Sequence, residues 1–294
     1  MKPVANPART HRAFTIVELL TVMSIIVVLI GLLVPALNKV RQYATGVRQM
    51  AQLQSIAVGI ELFSNEFSGY PDSGALDSDG AAYCGAMKLS EAIMGRDLLG
   101  VHSNSAFRRS GLDSTGSLQL YPPNPSASNL SARKGPYLQA ENANAYRLES
   151  IYGSNVGSFL PSVFVLCDVF ERNMASGQKT GMPILYYKAN TANNLHDPNV
   201  ASSMTATDSR GNIYNYYDNQ ALIALGKPWE SSGAGQTPHN LADPLRFYRN
   251  TRSEKIITTA RPYRPDSYIL ISAGPDGEYG TADDICNFSW KYRE

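Results

Sequence analysis

A single change of polarity near the start of the chain sets its organisation. From Leu19 to Leu37 the sequence LLTVMSIIVVLIGLLVPAL runs nineteen residues without a charge. At about 1.5 Å per helical residue, that run matches the roughly 30 Å hydrocarbon core of a bilayer. It predicts one transmembrane helix over 14–37. A secretory signal peptide has a shorter apolar core, about 7 to 15 residues, followed by a small-residue cleavage site. A helix apolar all round at the N-terminal end points to lipid rather than to a protein core. Pro35 lies inside the run, where its ring opposes the Gly31 carbonyl and removes one backbone hydrogen bond, so a kink or weak point is expected there.

The pattern then changes character without a break. From 38 to 68 there is no proline, and Val40, Tyr43, Val47, Met50, Leu53, Ala57, Ile60, Phe63 and Phe67 recur every three or four residues. That spacing predicts an amphipathic helix continuing the first, with Gln49, Gln52, Gln54 and Glu61 on a polar back. A single helix of this length would be about 80 Å long. Gly69, Pro71 and Gly74 terminate it.

Beyond 69 the chain reads as an α+β body: the long helix packed on a small antiparallel sheet, with a large loop-rich insertion at about 72–180. A short helical patch is expected at Met87 to Leu99, and YPPNPSASN at 121–129 reads as a turn. LPSVFVLCDVFERN at 160–173 fits either a strand or a short buried helix. PILYYKA at 183–189 and SYILISA at 267–273 read as strands, and IYNYYD at 213–218 as a weaker one. Residues 190–212 and 229–242 read as loops.

Composition adds limits. Formal charge is +1, but Lys2, Arg9 and Arg12 precede Phe14 with no acid among them. Without that leader the chain carries 23 basic against 25 acidic residues. Neither balance gives the concentrated basic face of a nucleic-acid binder, so no nucleic-acid partner is expected. Cys84, Cys167 and Cys286 form no C-x-x-C pair, leaving one disulfide plus a thiol, or three buried thiols, both open. His11, His102, His196 and His239 lack zinc-like spacing. There is no G-x-S-x-G and no phosphate loop, and no catalytic constellation is expected.

The basic leader, AFTIVELL, the unbroken apolar helix and its late proline together resemble the N-terminus of type IV pilins and type II secretion pseudopilins. The resemblance implies that a prepilin peptidase cuts between Ala13 and Phe14 and methylates the new amine. This chain departs from the family at the residue before the cut, where Ala13 stands in place of the usual glycine. It further implies a leader in the cytoplasm, a single inner-membrane span, a body in the periplasm, and assembly with copies of itself or other pseudopilins on an inner-membrane secretion platform. Glu18 then acquires a reason. It lies four residues from the new amine, on the same helical face and near the positive end of the helix dipole. In the family this glutamate answers the amine of a neighbouring subunit during filament assembly. A carboxylate inside lipid is costly, which marks it as functional.

The C-terminal AGPDGEYGTADDI, 273–285, places Asp276, Asp283 and Asp284 around Gly277 and Gly280. Carboxylates on a glycine-rich turn are hard oxygen ligands of the kind calcium takes. The spacing is not that of an EF-hand, and a solvated acidic turn would use the same residues. It resembles the calcium loop of the major pseudopilin, which implies Asp276, Asp283 and Asp284 as ligands, with the Ala273 and Glu278 carbonyls nearby. The expected function is a pseudopilin-like structural subunit rather than an enzyme. The alternatives are a type IV pilus or minor pilin subunit for adhesion or DNA uptake, or a binding domain on a pilin anchor. The aspartate loop points to secretion, because pilins more often close that region with a disulfide.

Overall fold

A computed structural model describes residues 15–230, 237–256, 258–289 and 291. The chain divides into two compact units, residues 1–44 and 45–294. One helix, α1, is assigned continuously over Ile16–Phe67, Pro35 included. In the first unit it is long and apolar enough to cross a membrane, and no described side chain there is buried.

In the second unit the same helix buries Gln49, Gln52, Leu53, Ile56, Gly59, Ile60 and Phe63. These recur at three- and four-residue steps, as one packed face requires. This face keeps the later part of the predicted stripe, with Leu53, Ile60 and Phe63 buried, but not its start: Val40, Tyr43, Val47 and Met50 are 49–77 % exposed. The buried face also takes in two glutamines. Gln49 Oε1 accepts from the Val169 amide at 2.9 Å, and Gln52 Nε2 donates to the Cys167 carbonyl at 2.9 Å. Both are therefore buried where a polarity pattern puts them on the solvent side. Gly59 lets the helix approach its neighbour, since a Cβ there would stand 3.2 Å from Ile93 Cγ2. Ser68, at a φ of 58°, follows the last turn.

The remaining helices are α2 (Gly85–Met94), α3 (Ala127–Ser131), α4 (Ala140–Ala143), α5 (Leu148–Tyr152), α6 (Gln220–Ile223) and α7 (Pro244–Thr251). The strands are β1 (Val101–His102), β2 (Arg133–Lys134), β3 (Ala145–Arg147), β4 (Phe164–Leu166), β5 (Arg172–Asn173), β6 (Lys179–Thr180), β7 (Leu185–Lys188), β8 (Tyr268–Ser272) and β9 (Ile285–Cys286). The fold is thus mixed helix and small antiparallel sheets. The largest sheet has the order β7-β8-β9, with Tyr186 opposite Leu270 and Ile271 opposite Cys286. The β3–β4 pair adjoins it through the Ile184 amide, which donates to the Leu166 carbonyl at 2.7 Å.

Both faces of β7 and β8 are covered, which explains why these strands are apolar at nearly every position. Tyr186, Tyr268 and Leu270 pack on Leu53, Ile56 and Ile60 of α1 and on Leu89 and Ile93 of α2. Leu185, Tyr187, Ile269 and Ile271 face a larger core with Leu148, Ile151, Leu222 and Phe247. The segment 160–173 resolves to strands β4 and β5 with a connection between them, while 213–218 is not a strand. Asn215 accepts from the Tyr217 amide through its side chain and turns Tyr216–Asp218 into a 3-10 helix.

The segment 72–180 supplies core as well as loops, because every residue of α2 is buried. Its two charges are answered from a distance. Lys88 pairs with Asp72 and donates to the Leu76 carbonyl. Glu91 accepts hydroxyl protons from Tyr83, Ser105 and Tyr121 at 2.5–3.0 Å. Charged side chains are tolerated inside only with such partners.

Candidate functional site

Ala13 and Phe14, the expected processing pair, lie outside the described residues. Glu18 falls in the first turn of α1, and Thr15 stands just before it. The Thr15 amide and hydroxyl donate to Glu18 Oε2 at 2.9 and 2.8 Å, and the Glu18 amide donates back to Thr15 Oγ1 at 3.2 Å. This is a reciprocal capping box, T-x-x-E, which satisfies amides that the start of a helix leaves without partners. It explains why the helix begins at Ile16, and it fixes the carboxylate by geometry. Among the described residues no basic side chain pairs with Glu18. The Thr15 signal was present in the sequence and is independent of any family. Further along α1, an added Cβ at Gly31 would touch nothing within 4 Å.

The C-terminal loop brings its three aspartates into one turn. Gly274, Gly277 and Gly280 have φ of 66°, 72° and 90°, a region where glycine is the natural residue. At Gly274 the need is also spatial, since a Cβ would stand 2.2 Å from the Asp283 carbonyl. The Asp276 amide donates to Asp283 Oδ2 at 3.0 Å, and the Glu278 amide to Asp276 Oδ1 at 2.8 Å. Thr281 Oγ1 donates to Asp283 Oδ1 at 2.5 Å. Asp284 is buried and turned inward, accepting the Gly280 amide at 2.8 Å.

Charge is crowded in this loop. Burial, and then the neighbouring Asp283, raise the Asp276 carboxyl above its usual range. Burial raises Asp284 well above that range. The loop is also tied to the rest of the body: Arg172 Nη2 donates to the Pro275 carbonyl at 2.6 Å while its guanidinium lies over Trp229, and Lys227 pairs with Glu278 at 2.6 Å. Among the described residues no three His, Cys, Asp or Glu side chains are grouped to hold a metal ion. Asp276, Asp283 and Thr281 contribute oxygen donors to the turn. Asp284 braces the turn through backbone amides.

The three cysteines are free, with Cys84 and Cys167 buried and Cys286 half-buried. Burial pushes the Cys84 thiol up to about 11, as expected of an inert packed thiol. Compared with known proteins, the chain matches no family model, no curated protein and no solved structure.

Proposed function

We propose that this chain is a pseudopilin-like structural subunit, held in the inner membrane by α1 until assembly packs that helix into a filament. The observation that carries the reading is the capped carboxylate at the head of an exposed apolar helix. Cleavage between Ala13 and Phe14 by a prepilin peptidase would put the new amine beside the Thr15–Glu18 box, in the same turn as the acid. The box caps one Glu18 oxygen and leaves the other without a donor among the described residues, where an amine from its own or an adjoining subunit would pair with it. Membrane lipid, other subunits and an inner-membrane secretion platform are the partners this reading requires.

The test compares Glu18→Gln and Glu18→Ala with the unaltered chain for surface fibres and inter-subunit crosslinks. Both variants are expected to remain in the membrane and to lose most assembly; full assembly by Glu18→Ala would overturn the reading. Mass measurement of the mature N-terminus checks the cut directly.

Calcium is proposed to bind at Asp276 and Asp283, with Thr281 beside them, relieving the repulsion between the two acids and holding the C-terminal turn. An ion bound only by the folded body stabilises it by mass action, about 2.7 kcal/mol at a hundredfold excess over Kd. Addition of calcium should therefore raise the thermal midpoint, and Asp283→Asn should abolish the rise. A midpoint indifferent to calcium and chelator excludes the site.

A further inference from the structure

The part of α1 that belongs to the body has a second apolar face, opposite the one it buries. Val47, Met50, Val58 and Leu62 are 49, 60, 57 and 45 % exposed. Ala51 and Gln54 lie between them and are exposed as well. These positions follow one another at steps of three and four, so they make one stripe of about four helical turns. Beside the stripe a groove of about 560 Å³ runs between α1 and the segment after β9, with Met50, Leu53, Gln54, Ala57 and Phe288 in its walls. Single exposed apolar residues are ordinary on a protein surface. An aligned row next to an apolar groove marks a contact site.

Lipid is not what covers this row. Lys39, Arg41 and Arg48 stand between the uncharged run and the rest of the stripe, and charged side chains do not sit unpaired among acyl chains. A second copy of the chain does meet the row. Two copies held in one bilayer by the same apolar run enter it parallel and at the same height. Each then offers the other the same residues in register, which is the self-complementary contact of a two-fold pair.

Gln54 supports that register. It interrupts the stripe between Met50 and Val58, and it makes no hydrogen bond among the described residues. An amide carries both donors and an acceptor, so it can bond to its own copy. In register the two amides meet; shifted by a turn, each faces an apolar side chain. A lone polar residue in the seam of a helix pair sets register in this way. Ala51, one turn away, is small enough to let the backbones approach, and the groove takes the partner's Met50 as a knob enters a hole. A contact of about four turns is smaller than the roughly 1,200–2,000 Å² of a stable soluble interface. A shared membrane aligns the copies beforehand and removes part of the orientational cost.

We propose that two copies of this chain pair in the membrane-held state through Val47, Met50, Gln54 and Val58 of α1, parallel and in register, with the Gln54 amides bonded across the two-fold axis. The inference rests on α1 crossing the membrane, and not on cleavage, on Glu18 or on filament growth.

The test uses the full chain reconstituted alone in liposomes, without peptidase or secretion platform. Cys84 and Cys167 are buried, and Cys286 lies in the groove, so Cys286→Ser is the background. Single Val47→Cys, Met50→Cys and Gln54→Cys variants are oxidised with copper phenanthroline at a low protein-to-lipid ratio. Each should give a covalent dimer, while Ser117→Cys on the exposed surface of the body should stay monomeric. Val58→Glu should cut the dimer formed through Gln54→Cys by about tenfold, equivalent to about 1.4 kcal/mol, and leave the thermal midpoint of the body unchanged. If Val58→Glu shifts that midpoint, Leu62→Glu carries the same expectation. The proposal is overturned if none of the three stripe cysteines crosslinks, or if Ser117→Cys crosslinks as readily. It also fails if bonds form only between unlike positions in mixed samples, which would be a staggered contact, or if the glutamate variants leave the dimer intact.

Discussion

The two stretches of α1 obey opposite rules although they belong to one helix. Between Leu19 and Leu37 no side chain is charged, apolar residues stand on every side, and none is buried. Between Gln49 and Phe63 the buried face includes two glutamines, while Val58 and Leu62 stay exposed. Hydrophobicity alone therefore does not decide burial here. In the first stretch it matches a solvent that the protein does not supply. In the second, burial follows from which side chains can reach the open backbone groups at 167–169.

The largest expected effect breaks the comparison if it fails. Ile56 is fully buried against the sheet, so Ile56→Ala should destabilise the body by about 2–5 kcal/mol. Ile26→Ala, in the first stretch, should leave the same unfolding transition within about 0.5 kcal/mol. Denaturant unfolding of the full chain in detergent, followed by aromatic fluorescence, checks both, and equal losses would mean the two stretches are not distinct. Gln52→Leu comes next. It fills similar volume but strands the Cys167 carbonyl, and should cost about 1–3 kcal/mol. A stabilised Gln52→Leu would show that the glutamine face is tolerated rather than required.

A third effect concerns pH, at the same place where the glutamines grip. Asp168 is fully enclosed beside Cys167 and accepts the Ser272 hydroxyl at 3.0 Å and the Met182 amide at 3.1 Å. Burial raises its carboxyl from 3.8 to about 7. Between those values the folded state keeps a proton that the unfolded chain releases, so this group lowers stability as pH rises from about 4 to about 7, and adds nothing further above. His196 and His239 act in the opposite sense. Burial holds both down to about 4, so their contribution to stability grows as pH rises from about 4 to about 6.5. Asp168→Asn should remove only the first component, and its stability relative to the parent should climb across that interval. Parallel pH profiles for the two proteins would show that Asp168 does not titrate there.

What the sequence disclosed follows from the same distinction. The α1 helix and strands β7 and β8 were legible because their signals are long or dense in β-branched and aromatic residues. The 213–218 segment has equally strand-like tyrosines, but the Asn215 side chain captures a nearby amide and turns the chain. Helix α2 was anticipated at Met87 to Leu99, yet its central place was not. Lys88 and Glu91 argue for a solvated face until Asp72, Tyr83, Ser105 and Tyr121 are seen to close around them. At the candidate site, the Glu18 position was readable from its apolar setting, and the Thr15 cap from its spacing, had the first turn been read as a capping box. The turn glycines at 274, 277 and 280 were also readable. The inward turn of Asp284 was not, because it depends on how the loop is covered.

The three hydroxyls gathered on Glu91 have a consequence for motion. Tyr83, Ser105 and Tyr121 come from separate stretches with little regular structure, yet all end on one carboxylate within α2. None of those stretches can swing away without uncovering the shared acid, so they should open together or not at all. In hydrogen exchange, a region that resembles three independent loops would behave as one block.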